Sequence, residues 1–314
     1  MARFVVGRTV GALVTLFVIS ILCFFTIAMV PGNPAEVMLG TYATPERLAA
    51  IEHEFGLDQP LVVRYGYWLK ETVQGNLGES VLSHQPVTKL LATALPVTLE
   101  LTAFALIIAI AFALPVGLRL ATNRDKKWSR PAMFGITLGI SVPGFWVGLM
   151  LIEIFAVRWG ILPAGGYVSF REDPVENLKT MILPSVTLSL YLGPPLVRFV
   201  RASAIGVLEE DFIKTARTKG LSDRAIINRH VKPNALIPTV TFLGLQLGAL
   251  ISGAIVTEVI FALPGMGRLG LNAILNRDYP IVLGVVLVVA LGYVLVNLLV
   301  DLSYGLIDPR VRSK

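Results

Sequence analysis

IVLGVVLVVALGYVLVNLLV, residues 281–300, runs for twenty residues without a charge or a proline. A helix of about 20 apolar residues spans the roughly 30 Å hydrocarbon core of a bilayer. The stretch therefore reads as a membrane-spanning helix, and that reading sets the class of the whole chain. Composition agrees with it. Of 314 residues, 54% are hydrophobic and 15% charged, against about 25% charged in soluble domains.

Five more runs share the character of the first. Residues 9–30, TVGALVTLFVISILCFFTIAMV, carry no charge. No A-x-A-like cleavage site follows, so they read as a retained span with a short N-terminal tail in 1–30. Beyond an outer segment, 31–96, lies a core at 97–305. Its helices are expected near 97–118, 134–157, 181–206, 235–261 and 281–305. Glu100 stands near the start of the first of these. Pro143-Gly144 breaks the second, which carries Glu153 near its end. Pro184, Pro194 and Pro195 lie in the third, and Glu258 near the end of the fourth. Ionisable side chains in or near spans are functional candidates, so Glu153 and Glu258 are singled out for a pathway or gate role. The prolines and the glycines Gly144, Gly193, Gly244, Gly248 and Gly253 suit helices that bend or pack closely. The single cysteine, Cys23, excludes an intramolecular disulfide framework and reads as a small apolar side chain.

The bases give an orientation. Arg3, Arg8, Arg119, Arg124, Lys126, Lys127, Arg130, Arg198, Arg201, Arg310, Arg312 and Lys314 all fall on one side of the spans. The positive-inside rule then puts both termini, and the tail 306–314, in the cytoplasm. Segment 31–96, with more acids than bases, faces outward, as do the loops near 158–180 and 262–280. In that outer segment Thr44 reads as the N-cap of a helix with Pro45 in its first turn and Gly56 as its stop. DQPLVVRYGYWLKETVQG, residues 58–75, reads as a second helix with an aromatic face of Tyr65, Tyr67 and Trp68. GNLGES, 75–80, is a turn. Such a cap is either a tethered lid or a docking surface for something delivered from outside.

Between the third and fourth core helices the chain turns basic. TARTKGLSDRAIINRHVKPNALIP, residues 215–238, holds Arg217, Lys219, Arg224, Arg229, His230 and Lys232. A helix over 211–219 can stop at Gly220, which tolerates positive φ. Ser222 and Asp223 can start a second helix, and Pro233 is expected to end it. The result is a helical hairpin, 207–234, at the cytoplasmic surface. One reading makes it an ordinary loop binding anionic headgroups; the other asks what a defined turn is for.

At this point the residues resemble a known family. Permease subunits of ATP-binding-cassette importers carry a cytoplasmic loop of the form E-A-A, three residues, G, nine residues, I-x-L-P. Ala216, Gly220 and Pro233 match at that spacing, while Lys214, Thr215, His230 and Lys232 replace the family's Glu, Ala, Ile and Leu. The variant T-A-R-x-K-G-L followed by N-A-L-I-P resembles the branch that imports peptides, and some nickel or glutathione. P-G-N-P at 31–34, G-L-D-Q-P at 56–60, G-N-L-G at 75–78, P-V-T-L-E-L at 96–101, G-A-I-V-T-E-V-I-F at 253–261, P-G-M-G at 264–267, N-R-D-Y-P at 276–280 and Asp308-Pro309-Arg310 fit the same branch.

The resemblance implies an all-α membrane protein with six transmembrane helices in the type I importer fold and a small extracytoplasmic helical segment between the first two. It implies a prokaryotic inner-membrane location, a homologous second permease, two cytoplasmic ATPase subunits and an external substrate-binding protein. It also implies that Thr215, Ala216, Arg217, Lys219, Gly220, Leu221 and Pro233 form the loop that couples to the ATPases, with Ala216 and Gly220 allowing close approach. The chain itself has no G-x-x-x-x-G-K-[ST] phosphate loop, so ATP and magnesium are expected on the partners and no cofactor or catalytic residue on this chain. No metal-spaced His/Cys cluster and no nucleic-acid partner is expected. Nickel chelates, glutathione or another small solute remain alternatives to peptides as cargo. A secondary transporter, often of ten or more spans with internal repeats, is the more distant alternative, and like a channel or receptor it leaves the hairpin unexplained.

Overall fold

The structure, a computed structural model, describes residues 2–29, 44–46, 48 and 58–307. The P-G-N-P stretch, most of the helix expected from Thr44, and the tail from Asp308 lie outside the described residues. Among those described, the regular elements are helical: α1 (Ala2–Ala28), α2 (Leu61–Val73), α3 (Val87–Thr122), α4 (Ser129–Ser141), α5 (Gly144–Leu151), α6 (Pro174–Glu209), α7 (Asp211–Thr218), α8 (Asp223–Ile226), α9 (Lys232–Ile260), α10 (Met266–Leu275) and α11 (Tyr279–Ile307). Two wider π segments extend α5 and α8, at Ile152–Arg158 and Ile227–Val231. The all-α membrane class is thus what the chain adopts. Among the described residues α1, α3, α6 and α11 are long and apolar enough to cross a membrane, and α4 with α5 makes a fifth crossing when taken as one span. The sixth expected span is α9, with 29 residues and no charge between Lys232 and Glu258.

The break in the second core run falls where Pro143 was expected to put it. Val142 and Pro143 are extended, and the two arms meet at 96°. Proline lacks a donor and drives the residue before it out of helical geometry. Boundaries elsewhere differ from expectation. The helix expected from 97 begins at Val87, because Val87, Leu91 and Ala94 form an apolar face with helical spacing. That expected from 181 begins at Pro174, where Asp173 Oδ1 accepts hydrogen bonds from the N–H groups of Val175 and Glu176 at 2.9 and 3.0 Å. Asp followed by Pro is a helix-start signal that the long apolar run masked. The loop near 262–280 contains a helix of its own, α10.

The chain divides into two compact units, residues 1–98 with 264–298, and residues 99–263 with 299–314. In the first, Tyr65 and Trp68 of α2 pack on Phe24 of α1, with ring centroids 5.5 and 5.4 Å apart. Tyr65 Oη also shares a 2.8 Å hydrogen bond with Ser20 Oγ. Tyr67 points elsewhere and is 65% exposed, so the expected three-residue aromatic face is a two-residue one; i and i+3 share a helix face and i+2 does not. The first turns of α3 pack on α10 and the start of α11 through Val87, Leu91, Met266, Ala273, Ile281 and Val285.

The second unit is built on α6, whose inner face is buried from Asn177 to Ala204. Glycines let neighbours approach it. A Cβ on Gly117 of α3 would lie 2.7 Å from Val200 Cγ1, and one on Gly144 of α5 2.6 Å from the Tyr191 ring. One on Gly253 of α9 would lie 3.0 Å from Leu188. Without a hydrophobic drive between helices in lipid, such close packing is what holds them. Pro184, Pro194 and Pro195 stay inside α6, as prolines can in packed membrane helices.

Candidate functional site

The basic hairpin forms as the sequence suggests on its first arm and differently on its second. Glu210 is extended, which ends α6 and lets α7 start in a new direction. Asp211 sets a negative charge in the first turn of α7, favourable at a helix start, and Lys214 Nζ sits 2.7 Å from its Oδ1. The ammonium holds the Asp211 carboxyl below its ordinary pKa, and the carboxylate raises that of Lys214. Both side chains are exposed, and the pair has little net value.

α7 closes on Gly220, at φ +79°. The N–H of Gly220 donates to Arg217 O at 2.9 Å and that of Leu221 to Ala216 O at 3.2 Å. These two bonds define the Schellman ending, with Leu221 supplying its usual apolar contact. Ser222 then caps α8, its Oγ accepting from Ala225 N at 3.4 Å.

Pro233 does not stop the second arm. α8 passes through the π turn Ile227–Val231 straight into α9, and Pro233 occupies the first turn of α9. The N–H of Lys232 reaches back five residues to Ile227 O. A proline needs no donor in a first turn, and the wider π geometry brings the chain to it without a break. The hairpin's second arm and a long apolar helix are therefore one continuous rod.

The hairpin has two faces. Ile213, Ala216, Ile226 and Val231 are buried and pack against Ala121 of α3, Ala204 of α6 and Ala235 of α9. The other face exposes Thr215, Arg217, Lys219, Gly220, Arg224, Arg229 and Lys232. Leu221 is half-buried and Pro233 exposed. Ala216, expected to allow close approach, is 7% exposed and packs in the hairpin's own footing. Ile213, Ile226 and Val231, which anchor the hairpin, went unremarked in the sequence; their signal was isolated apolar residues inside a basic stretch. His230 is half-buried beside the Phe212 ring, 6.3 Å between centroids.

The two acids singled out differ sharply. Glu153 lies in the π segment after α5 and pairs with Arg158, Oε1 to Nε 3.0 Å. Residues five apart share a face in a π helix, so this pair follows from the wider turn. Its side chains are 43% and 69% exposed. Glu258 is fully buried at the end of α9, where its carbonyl accepts from Leu263 N at 2.9 Å. Two further carboxylates are held by hydroxyls. Tyr167 Oη donates to Glu100 Oε2 at 2.8 Å, and burial, then the Glu100 carboxylate, pushes the Tyr167 phenol up to about 12. In the first unit Ser80 Oγ donates to Asp278 Oδ2 at 2.6 Å, both residues being 2% exposed. Among the described residues no three His, Cys, Asp or Glu side chains gather as a metal would need.

Residues 113–313 match the family model described as binding-protein-dependent transport system inner membrane component. Residues 1–102 match the N-terminal model of the same systems. A relative from Brucella abortus strain 2308, named for a peptide transport system as its permease protein, is 39% identical over 312 residues and 99% of each chain. The glutathione transport system permease protein of Escherichia coli K12 is 37% identical over 314 residues, the whole of each chain. A crystallised chain of an amino acid ABC transporter, solved with histidines, superposes on 71% of this chain and 94% of its own at TM-score 0.47 and 19% identity.

Proposed function

Because the chain belongs to the family of binding-protein-dependent transport system inner membrane components, we propose that its hairpin is the element through which ATPase partners drive transport. The chain is a membrane-spanning permease of an ABC importer and works with the other components of such a system. What supports the coupling role is the hairpin's two-faced build: an exposed basic face set on a footing that touches α3, α6 and α9 at once. A push on Thr215, Arg217 or Lys219 reaches three long helices through packed side chains rather than through a slack loop. Ala216 and Gly220 set the shape, Leu221 locks the turn, and Pro233 sits where the rod enters α9.

In this reading two ATPase subunits, carrying ATP and magnesium, dock on the hairpins of this chain and of a homologous permease. The termini and the hairpin face the cytoplasm, where the bases lie, and a binding protein delivers cargo from outside. Peptides are the cargo the Brucella relative's name favours; the E. coli relative makes glutathione the second reading. Glu153 and Glu258 are candidates for the path, Glu258 the stronger because a carboxyl is costly to bury without a role.

The test is uptake into proteoliposomes holding the complete importer, with di- and tripeptides and glutathione each presented on the binding protein. Replacing the phosphate-loop lysine of the ATPase should abolish uptake of whichever cargo is carried. Uptake that survives this change would mean a gradient-driven transporter. Enlarging Ala216 to Trp should leave the chain inserted but separate ATP hydrolysis from uptake; unaltered coupling would refute the hairpin's role.

A further inference from the structure

A second basic feature lies away from the hairpin. A cavity of about 330 Å³ opens where the first turns of α4 meet α6, lined in part by Arg124, Arg130, Met133, Phe134, Thr137 and Arg201. Arg124 is already engaged, its Nη1 2.6 Å from Glu209 Oε1 and its Nε 3.9 Å from Asp125. Arg130 and Arg201 have no ion pair among the described residues. Arg201 Nε is buried and makes no hydrogen bond. Buried guanidinium nitrogens are ordinarily satisfied, and an oxyanion is the acceptor that fits their planar fork. The opposite wall is apolar, and it continues outward. Phe134 is 65% exposed and Leu138, one turn further along α4, is 49% exposed.

The level of the pocket is marked by its neighbour. Trp128, just before α4, is 42% exposed and carries the Arg119 guanidinium 5.7 Å over its ring. Tryptophans concentrate at the headgroup level of membranes, and a stacked arginine beside one suits the same depth.

We propose that this pocket is a binding site for one anionic glycerophospholipid. Arg130 and Arg201 hold the phosphodiester, Met133 borders the glycerol, and Phe134 and Leu138 carry the proximal acyl chain along α4. The cavity's size suits a headgroup, while the exposed track outside it suits a chain. That apolar continuation favours a lipid over a free phosphate, which would use the arginines alone. Basic pockets between membrane helices are known to select anionic headgroups. The site does not depend on the cargo or on the coupling role of the hairpin.

The test uses the assembled importer in detergent, loaded with dioleoyl-phosphatidylglycerol or dioleoyl-phosphatidylcholine, and counts retained lipid by native mass spectrometry. Wild type should retain phosphatidylglycerol in preference. Arg130→Gln with Arg201→Gln should weaken that retention about tenfold and leave phosphatidylcholine unchanged. Lys127→Gln, in the same loop but outside the pocket, should have no effect. If the double variant fails to assemble, Arg130→Gln alone, at an exposed position, should still lower phosphatidylglycerol retention. Equal retention in the variants, equal loss in Lys127→Gln, or displacement by inorganic phosphate would each overturn the site. So would a second subunit found covering the pocket in the assembled importer.

Discussion

Gly220 shows how one backbone angle fixes a surface. At φ +79° a β-carbon would be strained by about 1–2 kcal/mol, although open space surrounds the position. Gly220→Val should therefore loosen the turn without a clash. Uptake by the reconstituted importer should fall several-fold while the amount of inserted chain stays the same. Tyr167 offers a titration. Its phenol is raised to about 12, by burial first and the Glu100 carboxylate second, from an ordinary value near 10. A group whose pKa is raised on folding stabilises the folded state below its unfolded pKa and loses that contribution as pH climbs through the folded one. Any stability that wild type holds over Tyr167→Phe should thus be complete below about pH 10 and shrink toward pH 12. Tyrosinate absorbance, wild type minus variant, should show one late-titrating phenol; a midpoint near 10 would remove the Glu100 contact from the account.

At the scale of elements, helix contacts in the second unit depend on missing side chains. Gly117→Ala would place its Cβ 2.7 Å from Val200 Cγ1 and 3.0 Å from the backbone oxygen of Val197. The backbone cannot step aside, so the substitution should cost about 1–3 kcal/mol, seen as a lower unfolding temperature in detergent. Ala262 is the converse case. It closes α9 in the left-handed region, φ +52°, with Leu263 N bonded to Glu258 O at 2.9 Å. Glycine belongs at that position in a Schellman ending, and Ala262→Gly should raise stability by about 1 kcal/mol in the same assay. Much of this level was legible in the sequence. The apolar runs, the break at Pro143 and the stop at Gly220 each follow from local chemistry that no distant contact overrides. What was not legible came from context. Pro233 reads as a stop in isolation, yet serves as a start because a π turn precedes it. Ala216 reads as a residue that allows close approach in the family pattern, and it packs with Ala121, Ala204 and Ala235 in one cluster. Neither the π turn nor those alanines can be found from spacing alone.

At the scale of the whole molecule the chain holds spans, a short helix packed on α1, and a basic hairpin. As an inner membrane component of a binding-protein-dependent transport system, it works with the other components of that system. If exposed bases on the hairpin draw the ATPase subunits in, the encounter should weaken with salt, because exposed charges are screened within about 10 Å at 0.1 M. Association rates of purified ATPase with the inserted permease should fall as ionic strength rises. Arg217→Gln with Lys219→Gln should flatten that dependence, while a slope identical to wild type would place the docking charges elsewhere.

The π turn that joins α8 to α9 gives the hairpin a phase. Over Ile227–Val231 the helix carries one residue more than an α turn would hold. The wider turn absorbs that residue, so deleting Asn228 should let the turn close with α spacing and leave the phase of α8 relative to α9 nearly unchanged. Deleting Thr241, in the regular part of α9, should by contrast turn the hairpin by about 100°, swinging Ile213 and Ala216 off their seats on α3 and α6 and pointing the exposed bases in a new direction. Loss of one residue should thus be tolerated at the π turn and not further along the same rod.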